Sequence, residues 1–393
     1  MAESIPVLVV GAGPVGLTAA LRLARAGILV RIVDAGRDVD RRMRASTFHP
    51  PTLDMIAGLG LIDALSELGL EVPRWQMRHH ESGEHVDFDL SVIADRTAHP
   101  YRLQVEQHRY CALAIGALES LGVSVEFDAA VAGLEQGRDG VRVRLDGGQH
   151  VDSDWVIGAD GAGSAVRRAL GLEYGGTTYT HSSVLVSTKF PFHDVIDDLT
   201  DVAYCWSQRG PFSLLRLKQL WRVSLYPGIE DLDEAAEEQR IRDWFGFLHP
   251  DARSAEVFDI APYRVHERCV DRFRVGRVCL AGDAAHLNPP SGGMGMNGGI
   301  HDAMNLAEKL KAVIGGASDE LLDVYARQRR HVAAERVIPQ ASANRARMAV
   351  SNKDAQMRRL TRYRAIAADA HECRKFLLTS SMISSLDEAA AIE

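Results

Sequence analysis

The sequence predicts an α/β fold that combines strand–turn–helix units, a stretch of antiparallel strands and a helical C-terminal part. Three observations predict it. Short apolar strands run into glycine-rich corners at GAGPVG, GADGAG and GDAAHLNPPSGGMG. Residues 177–263 alternate between apolar and polar positions, which is typical of strands with one buried face. The final stretch, 346–393, is polar and carries no motif, and its composition favours helices.

Composition excludes several classes of protein. The 393 residues are 46% hydrophobic and 25% charged, as expected of a soluble globular chain. The net charge is −8 and no Lys/Arg run is interleaved with aromatic residues, so we expect no nucleic-acid partner. Five widely spaced cysteines without a CxxC pair predict reduced thiols, a cytoplasmic location and no metal site. No apolar run is long enough to predict a membrane span.

The first corner predicts a dinucleotide-binding βαβ unit. The apolar run from Ile5 to Val10 enters Gly11, Gly13 and Gly16, which have the spacing GxGxxG, and a helix leads to a second strand that ends at Asp34. Gly11 suits a tight turn, Gly13 the close approach of a pyrophosphate, and Gly16 the packing of helix on strand. Asp34 is placed to accept a hydrogen bond from a ribose. An acid there favours a free 2′-hydroxyl, as in FAD or NAD, over a 2′-phosphate.

Two polar positions beyond this unit are candidate cofactor contacts. Four arginines lie between positions 37 and 44, and a solvated basic loop is one interpretation. The other is that Arg44 faces a cofactor phosphate, where its planar guanidinium can pair with two oxygens. Gln107 stands just before a predicted helix, as a helix cap or as an amide that reaches a cofactor.

The second corner repeats the pattern of a strand that ends in an acid among glycines. The strand from His150 to Ile157 leads to Asp160, and Ser164 is the expected cap of the next helix. A plain turn explains one such corner. Two of them in one chain favour a cofactor-linked role for Asp160.

The third corner is the richest in glycine. A strand from Val278 to Ala281 delivers Asp283 onto a loop, and Gly298 and Gly299 are expected to lead into a helix. Bare N–H groups at a helix start and an acid at a strand end suit a ligand with hydroxyls and a delocalised anion, as in a reduced flavin with its ribityl chain. A tight strand-to-helix connection is the alternative. The loop adds five candidate cofactor contacts: Pro290, Gly293, Gly295, Met296 and Asn297.

The three motifs and their order resemble those of the single-component (group A) flavoprotein aromatic hydroxylases, typified by 4-hydroxybenzoate hydroxylase. The motifs are, in chain order, GAGPVG, GADGAGSAVR and GDAAHLNPPSGGMGMNGGIHDAMNLAEKL. The resemblance covers residues 5–345. It implies a discontinuous FAD-binding domain of Rossmann type and an inserted substrate-binding domain with an antiparallel sheet. The expected boundaries are 1–72, 101–176 and 266–345 for the FAD-binding domain, 73–100 and 177–265 for the substrate domain, and 346–393 for a C-terminal helical segment.

The resemblance also implies roles for the residues at the corners. It assigns the three glycines of the first corner to the FAD pyrophosphate, Asp34 to the adenosine ribose and Asp283 to the ribityl chain. It associates the Asp160 motif with both FAD and the pyridine nucleotide. Arg44 and Gln107 fall where the family often contacts the cofactor.

The activity implied is that of an FAD-dependent monooxygenase. NADH or NADPH reduces FAD, O2 adds to form a flavin C4a-hydroperoxide, and the distal oxygen passes to an aromatic or heteroaromatic small molecule. The loop from Pro289 to Asn297 is expected to act in catalysis, because its N–H groups would stabilise negative charge near the flavin. Pro290 and Gly293 are its candidate catalytic residues. The chain departs from the family pattern at His301, where Gln is common.

Candidate substrate contacts lie mainly on the antiparallel strands. Their aromatic residues suit a sheet that covers a flat ligand, although ordinary sheet packing uses the same residues. Arg216 is a candidate for meeting a substrate carboxylate. Four residues, each with a structural alternative, are candidates for the base that activates a phenolic substrate: Tyr204, Tyr226, His49 and His286.

Other functions stay open beside hydroxylation. The same fold supports epoxidation, reduction or halogenation, although the WxWxIP segment that favours halogenation is absent. An NAD-dependent dehydrogenase would leave the second and third corners idle, and a non-catalytic dinucleotide sensor is a further alternative. The expected partner is a small aromatic substrate, and a homodimer is left open.

Overall fold

The structure is a computed structural model that describes residues 5–226, 234–350 and 352–393. Its strands, in chain order, are β1 (Ile5–Val10), β2 (Val30–Val33), β3 (Thr47–Phe48), β4 (Leu70–Val72), β5 (Arg74–His79), β6 (His85–Asp89), β7 (Arg102–Gln104), β8 (Val125–Glu126), β9 (Val131–Gln136), β10 (Val141–Leu145), β11 (His150–Gly158), β12 (Gly175–Thr188), β13 (Val202–Trp206), β14 (Phe212–Arg216), β15 (Trp221–Leu225), β16 (Val257–Cys269), β17 (Arg274–Val275), β18 (Val278–Leu280) and β19 (His286–Leu287).

The α-helices pack around and between the sheets. They are α1 (Pro14–Ala24), α2 (Pro50–Gly58), α3 (Ile62–Leu68), α4 (Gln107–Glu119), α5 (Ala165–Ala169), α6 (Phe192–Val195), α7 (Glu234–Leu248), α8 (Met294–Ile314), α9 (Glu320–His331), α10 (Ile338–Met348), α11 (Lys353–Ala368), α12 (Ala370–Ser380) and α13 (Ile383–Ala390). Within the described ranges, no helix is both long enough and apolar enough to cross a bilayer.

A mixed sheet of eight strands brings the three corners together. Its main path runs β17-β18-β11-β1-β2-β8, and β10 and β9 extend it from β11. Strands β1, β11 and β18 are parallel neighbours, with Val10 opposite Gly158 and Gly158 opposite Leu280. Their carboxyl ends therefore meet at one edge, which is where ligands bind in sheets of this kind. The predicted α/β class and βαβ unit are confirmed.

A second sheet of eight strands, ordered β19-β16-β12-β15-β14-β13-β5-β6, is almost entirely antiparallel, as the alternation predicted. Strands β12 and β16 pair from Gly175 opposite Cys269 to Thr188 opposite Val257, so the domain boundaries expected at 176 and 266 fall within this ladder. Side chains of α7 cover one part of the sheet, and α11 and α12 pack on Trp75 and Phe88 at the β5–β6 end. The small sheet β3-β7-β4 adds a third layer.

The start of the long helix after the third corner differs from the prediction. Helix α8 begins at Met294, with Gly293 as its N-cap at φ 66°, so Gly298 and Gly299 lie inside it. A Cβ on Gly299 would lie 2.6 Å from the side chain of Val15 and 3.2 Å from the Cα of Gly282. Gly299 therefore serves close packing of α8 on the first and third corners, and the prediction that the two glycines lead into the helix was wrong.

A buried carboxylate on α8 ties the third corner to its surroundings. Asp302 is 0% exposed. Its Oδ2 accepts hydrogen bonds from Gly282 N at 3.0 Å and from His286 Nε2 at 2.7 Å, and its Oδ1 accepts one from Arg329 Nε at 2.5 Å. Burial acts to raise the pKa of Asp302, but Arg329 and His286 outweigh it and lower the pKa to about 2. The side chain is therefore an anion held by a buried cation and a backbone N–H.

Replacing Asp302 by Asn is expected to destabilise the protein by about 3–5 kcal/mol, because it leaves the Arg329 charge buried without its counter-ion. Urea unfolding followed by circular dichroism measures the loss. The matched control is Glu308→Gln, which removes the exposed partner of Arg22 and should cost less than about 1 kcal/mol. A double variant, Asp302→Asn with Arg329→Met, should recover part of the loss. Equal effects of the Asp302 and Glu308 variants would contradict the assignment.

Candidate active site

The three corners are joined by direct hydrogen bonds at the edge of the mixed sheet. Ala159 N donates to Val10 O at 2.8 Å, and Ala281 N donates to Gly158 O at 3.0 Å. The guanidinium of Arg167 donates to Ala284 O at 3.0 Å and so fastens the second corner to the third. All three corners open into one continuous cleft of about 1660 Å³ that extends onto the antiparallel sheet.

The glycines of the first corner have the geometry that their spacing predicted. Gly11 adopts φ 110°, and a Cβ there would lie 2.3 Å from Ala159 O. A Cβ on Gly16 would lie 1.9 Å from Gly11 O, so this glycine allows α1 to approach the turn; it does not line the cleft. A Cβ on Gly13 would meet no protein atom within 4 Å and faces the cleft. Protein packing therefore explains Gly11 and Gly16 but leaves room at Gly13 for a ligand.

The end of β2 and the loop after it form the rim of the cleft beside that turn. Asp34 accepts hydrogen bonds from Ala12 N at 2.6 Å and Gly36 N at 2.7 Å, and each oxygen retains a lone pair. Arg44 is exposed at the cleft and pairs with Asp40 at 3.1 Å. The hydrogen bonds of Arg42 hold the pKa of Asp40 well below its usual range, so this acid is ionised and partly neutralises Arg44.

The acid of the second corner has a structural task as well as a place in the cleft. Asp160 Oδ1 accepts from Ser164 Oγ at 2.5 Å, and Oδ2 accepts from Ala165 N at 2.7 Å. The carboxylate therefore caps the start of α5 together with Ser164, the predicted cap, which accepts from Arg167 N at 2.9 Å. A cofactor contact by Asp160 stays a prediction.

The acid of the third corner points into the cleft. Asp283 sits in a tight turn after β18, with its side chain exposed to the cleft although the protein surrounds it on the other sides. This enclosure raises the pKa of Asp283, while His286 and Arg44 act to lower it. Tyr174 Oη donates to Asp283 O at 2.7 Å and fixes the backbone of the turn.

The loop that follows ends at the N-terminus of α8, which faces the cleft. Pro290, Gly293, Gly295 and Met296 all line the cleft. Gly293 adopts φ 66°, and a Cβ there would lie 3.3 Å from Thr47 Cβ. Gly295 has only an ordinary contact, 3.5 Å to Asn288 Oδ1, so the two glycines are not equally constrained. The first N–H groups of α8 have no intrahelical partner and favour negative charge at this position.

Asn297 differs from its predicted role as a cofactor contact. It is 0% exposed and does not line the cleft. Its Oδ1 accepts from His49 N at 2.8 Å, and its Nδ2 donates to Thr47 O at 2.8 Å and Gly293 O at 2.6 Å. Because its amide is engaged by the chain itself, Asn297 positions the loop from behind.

Beyond the loop the cleft is lined by aromatic side chains from four parts of the chain. Tyr204 and Tyr226 are among them, as predicted, and Gln107, the first residue of α4, lines the opposite end. The polar groups at the aromatic end include Arg102, Asn344 and Arg347. The aromatic lining consists of Trp75, Tyr204, Phe212, Tyr226, Tyr263, Tyr363 and Phe376.

The candidate bases differ in their position relative to the cleft and in their protonation. His49 is fully buried behind the loop, and burial together with Arg102 lowers its pKa to about 3. His286 stacks on Phe273 and bonds to Asp302, away from the cleft. Burial raises the pKa of Tyr226, so its phenol stays protonated at neutral pH. None of these three groups is suited to remove a proton from a substrate at neutral pH.

Arg216, the candidate for a substrate carboxylate, also lies away from the cleft. Its Nη1 donates to Asp201 Oδ1 at 3.1 Å, so it is an ordinary strand-surface ion pair. The cleft-lining residues that sequence reasoning missed include Trp75, Arg102, Asn344, Arg347, Tyr363 and Phe376. They come from β5, β7, α10, α11 and α12, and no local motif marks any of them.

The residues present fit FAD. The cleft exceeds the 300–1,000 Å³ typical of a site for one small ligand, so it has room for a dinucleotide and a second molecule. Gly13, Gly161 and Gly163 each leave space where a Cβ would meet no protein atom. The cleft also joins the carboxylate of Asp34 to the N-terminus of a 21-residue helix, α8.

Comparisons with known proteins agree with this geometry. A family model described as FAD binding domain matches residues 4–341. The chain is 36% identical over 354 residues to 6-hydroxy-3-succinoylpyridine 3-monooxygenase HspB of Pseudomonas putida, covering 86% of this chain and 87% of that protein. It is 33% identical over 391 residues to para-nitrophenol 4-monooxygenase of a Pseudomonas species, covering 95% and 94%.

Solved structures show the same likeness over nearly the whole fold. The crystal structure of p-nitrophenol 4-monooxygenase PnpA from Pseudomonas putida DLL-E4 matches with a TM-score of 0.91 at 33% identity, covering 98% of this chain and 99% of that one. A ternary complex of aklavinone-11 hydroxylase with FAD and aklavinone matches with a TM-score of 0.78 at 27% identity, covering 91% of this chain and 71% of that one.

Replacing Gly13 by Ala is expected to leave folding intact but to weaken FAD binding by about tenfold or more. The added methyl meets no protein atom, yet it occupies the space that a pyrophosphate would approach. Titration of the FAD-free protein, followed by quenching of flavin fluorescence, measures the affinity, and thermal unfolding checks the fold. Gly116→Ala, at an exposed helical position without neighbours, is the control. Equal FAD affinity in both variants would remove Gly13 from the binding site.

Replacing His301 by Gln is expected to make the free energy of unfolding fall less steeply as the pH is lowered. Burial, with Arg329 nearby, lowers the pKa of His301 from 6.5 to about 3, so the folded protein cannot take up the proton that the unfolded chain binds below pH 6.5. Stability from this group is present above pH 6.5 and is lost as pH falls towards 3. The slope of unfolding free energy against pH should fall by about 1.4 kcal/mol per pH unit. Urea unfolding at several pH values measures the slope.

Proposed function

The chain belongs to the FAD binding domain family of flavin-dependent aromatic monooxygenases, and we propose that its substrate is a single-ring hydroxylated aromatic or heteroaromatic compound. Membership confirms the resemblance read from the three motifs. The protein is an FAD-dependent monooxygenase of aromatic compounds that uses reduced nicotinamide and O2. The monooxygenase names of its relatives favour this activity over the dehydrogenase and sensor alternatives.

One observation supports the proposal most directly: the aromatic half of the cleft is continuous with the flavin half across the N-terminus of α8. The named substrates of the two relatives, a nitrophenol and a hydroxypyridine derivative, both carry a hydroxyl on one six-membered ring. Aromatic rings on several sides suit stacking and edge contacts with such a ring. Tyr226, which keeps its proton, supplies a hydrogen-bond donor for the ring oxygen.

When bound, FAD supplies the redox chemistry of the reaction. The protein's own residues bind, orient and exclude water. We assign Gly13 to close backbone approach, Asp34 to a ribose hydroxyl and Asp283 to the ribityl hydroxyls, since all three face the cleft. The N–H groups of the first turn of α8, which begins at Met294, have no intrahelical partner and favour negative charge beside the ring system. Trp75, Tyr363 and their aromatic neighbours limit water at the reacting ring.

Assignment of Arg44, Gln107 and Asp160 to cofactor contacts stays a proposal. Their support is that all three line the flavin half of the cleft. Arg44 would have to exchange its pairing with Asp40 for a phosphate, whose oxygens can pair with a guanidinium in a bidentate way. The cytoplasmic location likewise stays a prediction, and a homodimer is left open.

The activity test is NAD(P)H consumption by the purified holoenzyme in the presence of ring compounds. Phenols and hydroxypyridines of one ring should stimulate oxidation, and the product should gain one oxygen atom that comes from labelled O2 in mass spectrometry. Matched ethers and ring compounds without a hydroxyl should stimulate it weakly or not at all. Stimulation without oxygen in the product would mean uncoupled oxidation, and stimulation only by larger polycyclic compounds would contradict the single-ring proposal.

A further inference from the structure

We propose that Arg102 is the residue that recognises the substrate as an anion, by pairing with the ionised hydroxyl of the ring. This inference rests on the proposed function and adds the group that selects and activates the substrate. Arg102 lies on β7, within the aromatic half of the cleft, and belongs to none of the three corner motifs.

The surroundings of Arg102 lack the counter-ion that a buried cation requires. The residue is only 2% exposed, and within the described part of the chain it forms no ion pair with a carboxylate. Its Nη1 donates to Tyr204 Oη at 3.3 Å, and its Nε is buried without a hydrogen-bond partner. Its guanidinium carbon lies 4.6 Å from the centre of the Trp75 ring. Packing against tryptophan orients the guanidinium but satisfies none of its in-plane N–H donors.

The charges that line the cleft are unevenly distributed. Its acidic residues belong to the corner loops, to the loop after β9–β10 and to the outer part of β16; they are Asp34, Asp38, Asp40, Asp146, Asp160, Asp259 and Asp283. The described residues of the aromatic half include Arg102 and Arg347 but no acid. An anion placed there therefore meets cations without competing carboxylates.

A buried cation without a partner is costly, and an anionic ligand removes that cost. The same pairing acts on the ligand, because an opposite charge within hydrogen-bond distance lowers the pKa of a hydroxyl. Ionisation of the substrate by Arg102 requires no protein base, which agrees with the state of two candidate bases. His49 is buried with a pKa of about 3, and burial keeps Tyr226 protonated. A substrate that binds as an anion, or loses its proton to solvent on binding, needs neither of them as a base.

The geometry also indicates how the ring would lie. Tyr204 shares its hydroxyl with Arg102 and stands edge-on to Trp75, with ring centres 5.7 Å apart. The ionised oxygen of the substrate would accept a hydrogen bond from the Arg102 guanidinium, either in place of the Tyr204 hydroxyl or beside it. Trp75 and Phe376 would contact the faces or edges of the substrate ring. Tyr204 is therefore a positioning residue for Arg102.

The test is a pH titration of a chromophoric probe bound to the FAD-loaded enzyme without an electron donor, so that no turnover occurs. The probe is 4-nitrophenol, whose phenolate absorbs visible light more strongly than the phenol, and it is read as a difference spectrum against the unliganded holoenzyme. We expect the bound probe to have a pKa about 1–3 units below that of the free probe. In Arg102→Met, the pKa of the bound probe should rise to or above the free value, and phenolate affinity should fall about tenfold or more.

Two controls separate recognition from packing. The methyl ether 4-nitroanisole cannot ionise, so its affinity should be about the same in the wild type and in Arg102→Met. Arg347→Met removes another cation that lines the cleft, and most of the pKa shift should survive. Equal weakening of both probes by Arg102→Met, or loss of the whole shift in Arg347→Met, would overturn the proposal.

The result is independent of the activity test. A downward pKa shift in an enzyme that no phenol stimulates would refute the proposed function and leave the role of Arg102 standing. If phenols stimulate NAD(P)H oxidation but the pKa of the probe bound to the wild type is not lowered, the proposed function stands and the role of Arg102 is refuted. If Arg102→Met does not retain FAD, the wild-type titration decides, because absence of a downward shift there overturns the proposal.

Discussion

The arrangement of the active site depends on the buried carboxylate of Asp302. It binds the turn of the third corner through Gly282 N, the edge strand β19 through His286, and α9 through Arg329. Strand β19 pairs with β16 of the antiparallel sheet, so one side chain connects the turn of the third corner to both sheets and two helices. A buried anion of this kind is stable only with all of its partners present, which fixes their relative positions.

Much of the flavin half could be predicted from the sequence because its constraints are local. A strand that ends in an acid among glycines predicts three features within a few residues. These are a turn at positive φ, a close approach between backbone segments or to a ligand, and the start of a helix. Gly11, Gly16 and Asp283 follow that logic in the structure. The predictions failed where the same residue type has a structural role instead. Gly299 lies inside α8, and the side chain of Asn297 hydrogen-bonds to the backbone of the loop from behind.

The aromatic half could not be predicted in this way. Trp75, Arg102 and Arg347 come from three separate elements, and they meet only because β5, β7 and α10 are brought together by the second sheet and the C-terminal helices. Nothing in the residues next to Arg102 distinguishes it from a surface arginine. The signal is its burial without a carboxylate, which only a three-dimensional structure reveals. Arg216, by contrast, looked suited to a substrate anion and is paired with Asp201.

The two halves together imply a division of charge along the cleft. Negative charge on the flavin side is favoured by the N–H groups at the start of α8, whereas negative charge on the ring side is favoured by Arg102. Two separate positive groups allow two anions to occupy one enclosed space without sharing a counter-ion. Because Tyr226 keeps its proton, it adds no negative charge that would oppose the electron-rich ring. With the role proposed for Arg102, the cleft would favour the ionised form of a phenol, the form that is most reactive towards an electrophilic oxygen, through fixed cations and dipoles that need no rearrangement during the reaction.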